Sequence, residues 1–268
     1  MANTDLLVET KDRVLYLTMN RPDKLNALSP DMTAGLLENL SNAAQSSAIG
    51  CVVLTGAGRG FCAGGDITAM RDRNEGGGGS APTVEDRVAG LRRSEESSVL
   101  LHEMPKPTIA AVNGPVAGAG LSLAMACDIR IASSTARFGT AFAKVGFSGD
   151  FGGTYFMTRL VGPAKARELY FLADVIDANE ALRIGLANRV VPTESFRDEV
   201  HSFAKRLANG PSIAYSYMKA NLNAALTADV RTMVDREAWG QTMTGRTEDH
   251  REAVKAFLEK REPKFSGR

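Results

Sequence analysis

The sequence predicts an α/β protein with a helical region at its C-terminal end. Two apolar strands, Cys51 to Thr55 and Thr108 to Val112, each run into a glycine-rich turn that opens into a helix. Beyond Thr154 the pattern becomes mainly helical. Strand-then-helix units that give way to helices indicate a sheet core with a helical appendage, and such appendages often mediate oligomers. We place the core at 1–195 and the helical region at 196–268.

The amino-acid composition and net charge argue against nucleic acid and membranes as partners of this protein. The chain has 268 residues, of which 44% are hydrophobic and 24% charged, and its net charge is +1. Without a global basic field, nucleic acid is not expected as a partner, and an anionic ligand must be met by local Lys and Arg side chains. No apolar run approaches the roughly 18 residues of a membrane span, and residues 1–5 do not resemble a signal peptide. We therefore expect a cytoplasmic protein without membrane contact.

The three cysteines, Cys51, Cys62 and Cys127, are predicted to be reduced core residues. They lie in apolar stretches, lack metal-ligand spacing and cannot all pair with one another. The His, Asp and Glu residues are not spaced as metal ligands either, so we expect no metal site.

The N-terminal elements are predicted to be a hairpin, a polar loop and a helix. Short β-type runs at Leu6 to Glu9 and Val14 to Thr18 predict the hairpin, and a capping serine followed by proline predicts a helix from Ser29 to Ala44. Arg21 and Lys24 lie on the intervening loop. Loop cations are usually only solvated, and the alternative is contact with a phosphate.

The two glycine turns that follow the apolar strands are chemically alike. One spans Gly56 to Asp66 and the other Asn113 to Gly120, and neither has the spacing of a dinucleotide fingerprint or a phosphate loop. Glycine and alanine let a ligand approach the main chain, and the first N–H groups of a helix lack intrahelical partners. Two such turns brought together would form a two-donor oxyanion hole.

A run of four glycines interrupts the pattern within 74–82. Such a run has a large entropic cost in a regular element, so a surface loop is predicted from Arg71 to Thr83. It is either a lid over an adjacent pocket or a tolerated insertion. A helix from about Val84 to Met104 follows and is ended by Pro105.

Asp150 is the candidate base. It is flanked by Phe147 and Phe151 and precedes a Gly-Gly-Thr turn and a helix from Thr154 to Val161. A carboxyl group in an apolar setting ionises less readily, so its pKa is expected to rise toward the range where it both takes and returns a proton. The alternative is that Asp150 simply caps the helix.

The rest of the chain is predicted to be helical apart from a short strand at Asn188 to Val191. Asp128, between a helix and a strand, is interpreted as structural. The predicted helices are Pro163 to Leu172, Ala178 to Gly185, Ser195 to Ala208, Pro211 to Leu226, Arg231 to Thr242 and Thr247 to Arg261.

Taken together, these segments resemble the crotonase (enoyl-CoA hydratase/isomerase) superfamily over essentially the whole chain. The matching pieces are Asn20-Arg21-Pro22, Asn26-Ala27-Leu28, Phe61 to Ile67, Ala111 to Gly114 with Gly118-Ala119-Gly120, Cys127 to Arg130, Phe138-Gly139 and Gly152-Gly153-Thr154. The resemblance implies a spiral core of repeated β-β-α turns and a C-terminal helical trimerisation region. It also implies a disc-like homotrimer that often pairs into a hexamer.

The resemblance further implies the ligand, an acyl thioester of coenzyme A, with no permanently bound cofactor. The thioester oxygen would accept hydrogen bonds from the backbone N–H groups of Gly65 and Ala119, which stabilise an enolate. Phe257 and Lys260 would reach the site from the C-terminal helix of a neighbouring subunit. The residues that the resemblance assigns to substrate or coenzyme A contact are Lys24, Ala27, Ala63, Asp66, Ile67, Phe142, Phe257 and Lys260.

The resemblance favours an isomerase over a hydratase. The family's hydratases use two glutamates, and the matching positions here hold Ser122 and Phe142. Neither side chain can direct and deprotonate a water molecule as such a pair does. Asp150 stands where several isomerase-type members carry their acidic residue.

Two segments, Ala141 to Thr154 and Arg246 to Glu252, are similar to the isomerases of phenylacetate catabolism, which act on a ring-epoxidised phenylacetyl-CoA. Gly149 departs from that branch, which commonly has proline there. The expected function is an isomerase that moves a proton and a double bond in an enoyl-CoA or ring-epoxidised arylacetyl-CoA. The alternatives are an enoyl-CoA hydratase of the fatty-acid β-oxidation type and a non-catalytic acyl-CoA binder.

Overall fold

The computed structural model describes residues 4–75 and 83–268. Its strands are β1 (Leu6–Lys11), β2 (Val14–Met19), β3 (Cys51–Gly56), β4 (Thr108–Val112), β5 (Val116–Ala117), β6 (Ile129–Ser133), β7 (Arg137–Gly139), β8 (Ile176–Asp177) and β9 (Arg189–Val191). Its helices are α1 (Pro30–Gln45), α2 (Ile67–Glu75), α3 (Val84–Glu103), α4 (Ala119–Ala126), α5 (Gly153–Leu172), α6 (Ala178–Arg183), α7 (Phe196–Ala208), α8 (Ser212–Ala224), α9 (Val230–Thr244) and α10 (Glu248–Glu259). Within these described ranges, no helix is both long and apolar enough to span a bilayer.

The core is a six-stranded sheet in the order β1-β2-β3-β4-β6-β9. β1 and β2 form the predicted antiparallel hairpin, and every later pair in this sheet is parallel. Parallel neighbours end at the same edge of a sheet, so the glycine turns after β3 and β4 meet there. Two backbone hydrogen bonds join these turns, from Phe61 N–H to Pro115 O at 3.0 Å and from Ala117 N–H to Cys62 O at 2.9 Å.

The sheet is buried on both faces, as the continuous apolar sequence of β3 predicts. Successive side chains of a strand point to opposite faces. Val52 and Leu54 belong to the larger apolar cluster, which includes residues of α1, α3 and α4. Val53 belongs to the other cluster, in which Phe196 and Val200 of α7 cover the second face.

Asp128 is structural, as the sequence predicts. Its carboxylate accepts hydrogen bonds from Thr108 N–H at 2.8 Å and from Lys219 Nζ at 2.8 Å. Lys219 is buried and also donates to Leu101 O, so this ion pair joins α8 to the end of α3 and the start of β4. A buried charge is tolerated here because it is both paired and hydrogen-bonded.

The predicted loop from Arg71 to Thr83 is wrong over its first part, because α2 continues to Glu75. Asp66 accepts a hydrogen bond from Ala69 N–H at 3.2 Å, which stabilises the first turn of that helix. The rest of the glycine run, 76–82, lies outside the described residues. The two helices predicted to either side of Gly162 are present as one element, α5, which is kinked at this glycine with φ of +79°.

Candidate active site

The first predicted oxyanion donor, the N–H of Gly65, follows a constrained turn. Gly64 has φ of +89°, a conformation that favours glycine. Its carbonyl oxygen accepts a hydrogen bond from Leu28 N–H at 2.8 Å. Because the peptide bond is planar and trans, this bond turns the Gly65 N–H to the opposite side of the same plane. In the described part of the chain, that N–H has no hydrogen-bond partner.

The second predicted donor, the N–H of Ala119, is the first residue of α4. Gly118 precedes it with φ of +52°, and the Gly118 carbonyl accepts the first helical bond from Ser122 N–H at 3.1 Å. An N–H in the first turn has no intrahelical acceptor, and no acceptor for Ala119 N–H is found among the described residues. The helix dipole adds positive potential at this position.

The two turns are packed so closely that side chains are excluded between them. A Cβ added to Gly64 would lie 3.2 Å from Ala119 N and 3.0 Å from Ala117 O. A Cβ added to Gly120 would lie 2.8 Å or less from three atoms of Cys62. The fold therefore brings the two turns together as the sequence predicts, and each turn has a backbone N–H group without a partner among the described residues.

Asp150 is partly buried on the loop before α5 and does not cap that helix. The N-cap residue of α5 is Gly152, with no side-chain cap, so the capping interpretation is wrong. Asp150 Oδ1 is buried, and the described residues offer it no hydrogen-bond partner. Burial is the main cause that raises the pKa of Asp150 to about 6, and the charge of Glu95 adds to it. The carboxyl group is therefore suited to accept and return a proton near neutral pH.

Sequence reasoning missed Glu95 and Tyr170, which both approach the Asp150 loop. Glu95 Oε1, on α3, accepts a hydrogen bond from Phe151 N–H at 3.0 Å. The Tyr170 hydroxyl is buried and has no hydrogen-bond partner in the described part of the chain. Burial raises the pKa of Tyr170 above its ordinary value, and the charge of Asp150 contributes. No local pattern identifies either residue, because both contacts join distant parts of the chain.

Ser122, which the resemblance matches to a hydratase glutamate, is buried where α4 packs against the start of α5. A Cβ added to Gly153 would lie 2.4 Å from Ser122 Oγ and 2.4 Å from the Tyr170 hydroxyl. The two hydroxyls are thus close to one another at the start of α5. Ser122 Oγ also donates a long hydrogen bond of 3.4 Å to Gly118 O, inside its own helix.

The phenylalanines near Asp150 differ in their environments. Phe142 is buried and stacks on Tyr170, with ring centroids 5.9 Å apart, and Phe151 is also buried. Phe147 is 55% exposed and does not form the apolar surround that the sequence predicts for it. Of the two phenylalanines that the sequence places around Asp150, only Phe151 is buried.

A second carboxylate, Asp66, lies next to the predicted oxyanion donor Gly65 and is fully paired. Its Oδ2 accepts hydrogen bonds from Lys24 Nζ and Arg21 Nη2, both at 2.9 Å. The Lys24 ammonium, the Ala69 N–H and the Arg21 guanidinium hold the pKa of this carboxyl well below its usual range. Arg21 Nη1 also donates to the carbonyl of the predicted ligand residue Ala27.

The remaining predicted ligand residues fall into two groups. Ala63 and Ile67 are exposed near Asp66, and Ala63 lines a largely apolar cavity of about 170 Å³ together with Ala117 and Lys144. Phe257 is 83% exposed on α10, and Lys260 follows the end of that helix. No hydrogen bond or ion pair between described residues of the single chain joins the C-terminal pair to the rest of the predicted site.

No three His, Cys, Asp or Glu side chains among the described residues lie close enough together to hold a metal ion. The three cysteines are all buried and free.

The architecture is that of the crotonase fold. The solved structure of an enoyl-CoA hydratase from Polaromonas sp. JS666 superposes with a TM-score of 0.89 at 31% identity, covering 97% of this chain and 99% of that one. The model of the enoyl-CoA hydratase/isomerase family matches residues 9–268. The chain therefore belongs to the enoyl-CoA hydratase/isomerase family, within the crotonase superfamily, as its motifs predict.

Relatives of this chain within the family include proteins named as isomerases and proteins named as hydratases. The chain is 40% identical to the 1,2-epoxyphenylacetyl-CoA isomerase of Escherichia coli (strain K12), with 98% of each chain covered. It is 36% identical to the crotonyl-CoA hydratase of Syntrophomonas wolfei subsp. wolfei, with 99% of each covered. Family membership thus establishes an enzyme of the hydratase/isomerase type.

Proposed function

We propose that this enzyme is an acyl-CoA isomerase that moves a proton and a double bond through a thioester enolate. The observation that supports this most is the partly buried carboxyl group of Asp150, whose pKa is raised to about 6 and whose buried Oδ1 has no hydrogen-bond partner among the described residues. The positions of the two hydratase glutamates hold Ser122 and the buried Phe142. A single base that returns the proton it removes is sufficient for isomerisation.

In the proposed reaction, the substrate is a β,γ-unsaturated acyl thioester of coenzyme A. Asp150 takes a proton from the α-carbon, and the electron pair of that C–H bond moves toward the thioester oxygen. The N–H groups of Gly65 and Ala119 donate hydrogen bonds to the enolate oxygen, which carries the charge only after deprotonation. Protonated Asp150 then returns the proton to the γ-carbon, which leaves the double bond conjugated with the carbonyl.

We assign the coenzyme A end of the substrate to the region around Asp66. Arg21 is largely buried and pairs with Asp5 and Asp66, so the half-exposed Lys24 ammonium is the cation there that an anionic ligand can reach. The same region contains the remaining assigned contacts, which are Ala27, Ala63 and Ile67. The similarity to the Escherichia coli isomerase favours an arylacetyl thioester as one acyl group, with Phe142 lining its pocket.

We further propose a homotrimer or a hexamer built through 196–268. The C-terminal helices expose large apolar side chains in the single chain, and contiguous exposed apolar surface is typical of an interface. In such an assembly, Phe257 and Lys260 would complete the site of a neighbouring subunit. The exposed side chains include Leu222, Val230, Val234, Trp239, Phe257 and Leu258.

A hydratase is the second candidate, and a specific contact favours it. Water addition needs two groups that direct water and protonate carbon, and Glu95 places a second carboxylate beside the Asp150 loop. The relatives named as hydratases are also consistent with this activity.

The deciding experiment follows a β,γ-unsaturated acyl-CoA in deuterated water with the wild type and Asp150→Asn. We expect the wild type to form the α,β isomer, with deuterium incorporated to the extent that Asp150 exchanges its proton with solvent, and the variant to lose this conversion. If neither protein moves the double bond but the wild type adds water to crotonyl-CoA, the hydratase replaces our proposal. Tight acyl-CoA binding without turnover by either protein would indicate a non-catalytic binder.

A further inference from the structure

The loop that carries Asp150 has an unusual backbone. Gly149, Phe151 and Gly152 have φ of +116°, +50° and +72°, so three of four successive residues lie at positive φ. Phe151 is not a glycine, and a bulky residue in this region costs on the order of 1 kcal/mol or more. Such a conformation persists only when surrounding contacts enforce it.

Two contacts hold Phe151 in this conformation from the side of the protein core. Its side chain is 3% exposed and belongs to the main apolar cluster. Its N–H donates to Glu95 Oε1 at 3.0 Å. A hydrogen bond from a backbone N–H to a carboxylate is shorter and stronger than one between neutral groups. The peptide immediately after Asp150 is therefore tied to α3.

Glu95 is itself held on a rigid element. It lies in the middle of the 20-residue helix α3, next to the buried Ser97, Ser98 and Leu101 side of that helix. The other end of the loop is tied to α5 by the bond from Gly153 N–H to Asp150 O at 3.0 Å. The loop is thus hydrogen-bonded to both α3 and α5, and Glu95 is the side chain that holds it on α3.

Glu95 also affects the charge of the site. Asp150 interacts electrostatically with Glu95 on α3, with Tyr170 on α5 and with Cys62 in the first glycine turn. Burial raises the pKa of both the Tyr170 hydroxyl and the Cys62 thiol, so these two groups are neutral near pH 7. Glu95 is therefore the source of negative charge in this set, and it opposes ionisation of Asp150.

We propose that Glu95 is a positioning residue for the reaction: it fixes the strained Asp150 loop through the Phe151 N–H and supplies a negative charge beside the base. This inference rests on the proposed function only for its kinetic consequence. Anchoring of the loop is a property of the free protein and is measured without turnover.

The test uses three variants of the full chain. Glu95→Ala removes both the acceptor and the charge, whereas Glu95→Gln keeps an acceptor oxygen and removes only the charge. Glu96→Gln is the matched control, because Glu96 is the next residue on α3 and pairs with Arg92 at 2.7 Å, with its side chain 40% exposed. Each variant is examined by amide hydrogen exchange over 147–153 and by the pH profile of isomerase kcat/KM.

For Glu95→Ala we expect faster exchange over 147–153 and a loss of about 10- to 100-fold in kcat, with KM changed by less than about threefold, because the base is misplaced but the thioester site is intact. Glu95→Gln should restore most of the protection and of kcat. Its kcat/KM should fall on the acid side at lower pH than that of the wild type, whose limb is expected near the Asp150 pKa of about 6. Glu96→Gln should match the wild type throughout.

Unchanged exchange over 147–153 in Glu95→Ala would overturn the anchoring role, whatever the kinetics. An acid limb in Glu95→Gln that coincides with that of the wild type would overturn the charge role. If the wild type shows no isomerase activity while Glu95→Ala still loosens the loop, the proposed function fails and the anchoring role stands.

Discussion

The two ends of the candidate site each contain an aspartate, and the pKa values of the two carboxyl groups are shifted in opposite directions. Asp66 pairs with Arg21 and Lys24 at the surface end, and its pKa is held well below the usual range. Asp150 lies at the inner end, where burial and Glu95 raise its pKa to about 6. The backbone N–H groups of Gly65 and Ala119, the proposed oxyanion donors, belong to the turns between these ends.

The difference shows how environment decides what a carboxylate can do. A carboxylate with two cationic partners stays ionised and holds a loop in place, but it is a poor proton acceptor near neutral pH. A buried carboxyl group without partners has lost its stabilisation in the charged form, and it is therefore a better base. These two aspartates are the same residue type, and their different surroundings are the reason we propose a binding-site role for Asp66 and a catalytic role for Asp150.

The largest expected difference between the two ends is in turnover. Asp150→Asn should lower isomerase kcat by about 10³-fold, because an amide cannot take the substrate proton. Asp66→Asn should leave kcat within about fivefold and act mainly on KM, because Asp66 holds Arg21 and Lys24 in the proposed coenzyme A region and contacts no reacting atom in the proposed reaction. Steady-state kinetics with one β,γ-unsaturated acyl-CoA measures both. An equal loss of kcat in the two variants would refute the division of roles.

The variant Gly64→Ala tests whether the close packing of the two glycine turns, between the two ends of the site, is needed for turnover. Its Cβ would approach Ala119 N at 3.2 Å at a residue with φ of +89°, so the two donors must move apart. We expect kcat to fall by about 10²-fold, the usual effect of losing an oxyanion donor. Gly146→Ala is the control, because Gly146 also has positive φ, of +72°, but no atom within 4 Å of an added Cβ. Comparable kinetic losses in both variants would mean that backbone strain alone explains the effect.

The smallest expected effect is on stability, where the two ends should respond with opposite sign. The pKa of Asp150 in the folded state is raised from 3.8 to about 6, so its stabilising contribution is present below about pH 4 and lost as pH rises through 6. Asp150→Asn removes the charge that folding disfavours. We expect the variant to gain roughly 1–2 kcal/mol at pH 7, after a discount for partial solvation, and nothing at pH 4.

For Asp66 the sign is reversed. Its folded-state pKa is depressed, so its contribution to stability is present above about pH 4 and lost as pH falls through the folded-state value. Asp66→Asn should therefore lower stability at pH 7, by less than about 1 kcal/mol. Thermal unfolding of both variants at pH 4 and pH 7 measures the signs. A destabilised Asp150→Asn at pH 7 would mean that the carboxylate has a stabilising partner in solution.

Much of the fold was predictable because its signals are local. The strand from Thr108 to Val112 matches β4 at both ends, and Ser29 caps α1 by accepting a hydrogen bond from Met32 N–H, as a serine before proline predicts. The predicted start of the loop at Arg71 is wrong, because the prediction placed the residues before the glycine run in the loop as well. The helix that ends at Glu75 includes no glycine.

The sequence by itself determined the two glycine turns, the helix that starts at Ala119 and the presence of a carboxylate at Asp150, since each depends on neighbouring residues and backbone geometry. Only the tertiary structure decided the state of that carboxylate. Glu95 reaches it from 56 residues away through Phe151, and Tyr170 approaches from the far end of α5. Whether an aspartate is paired, as Asp66 is, or partly buried with no hydrogen-bond partner among the described residues, as Asp150 is, depends on long-range packing, because desolvation and charge act through space and not along the chain.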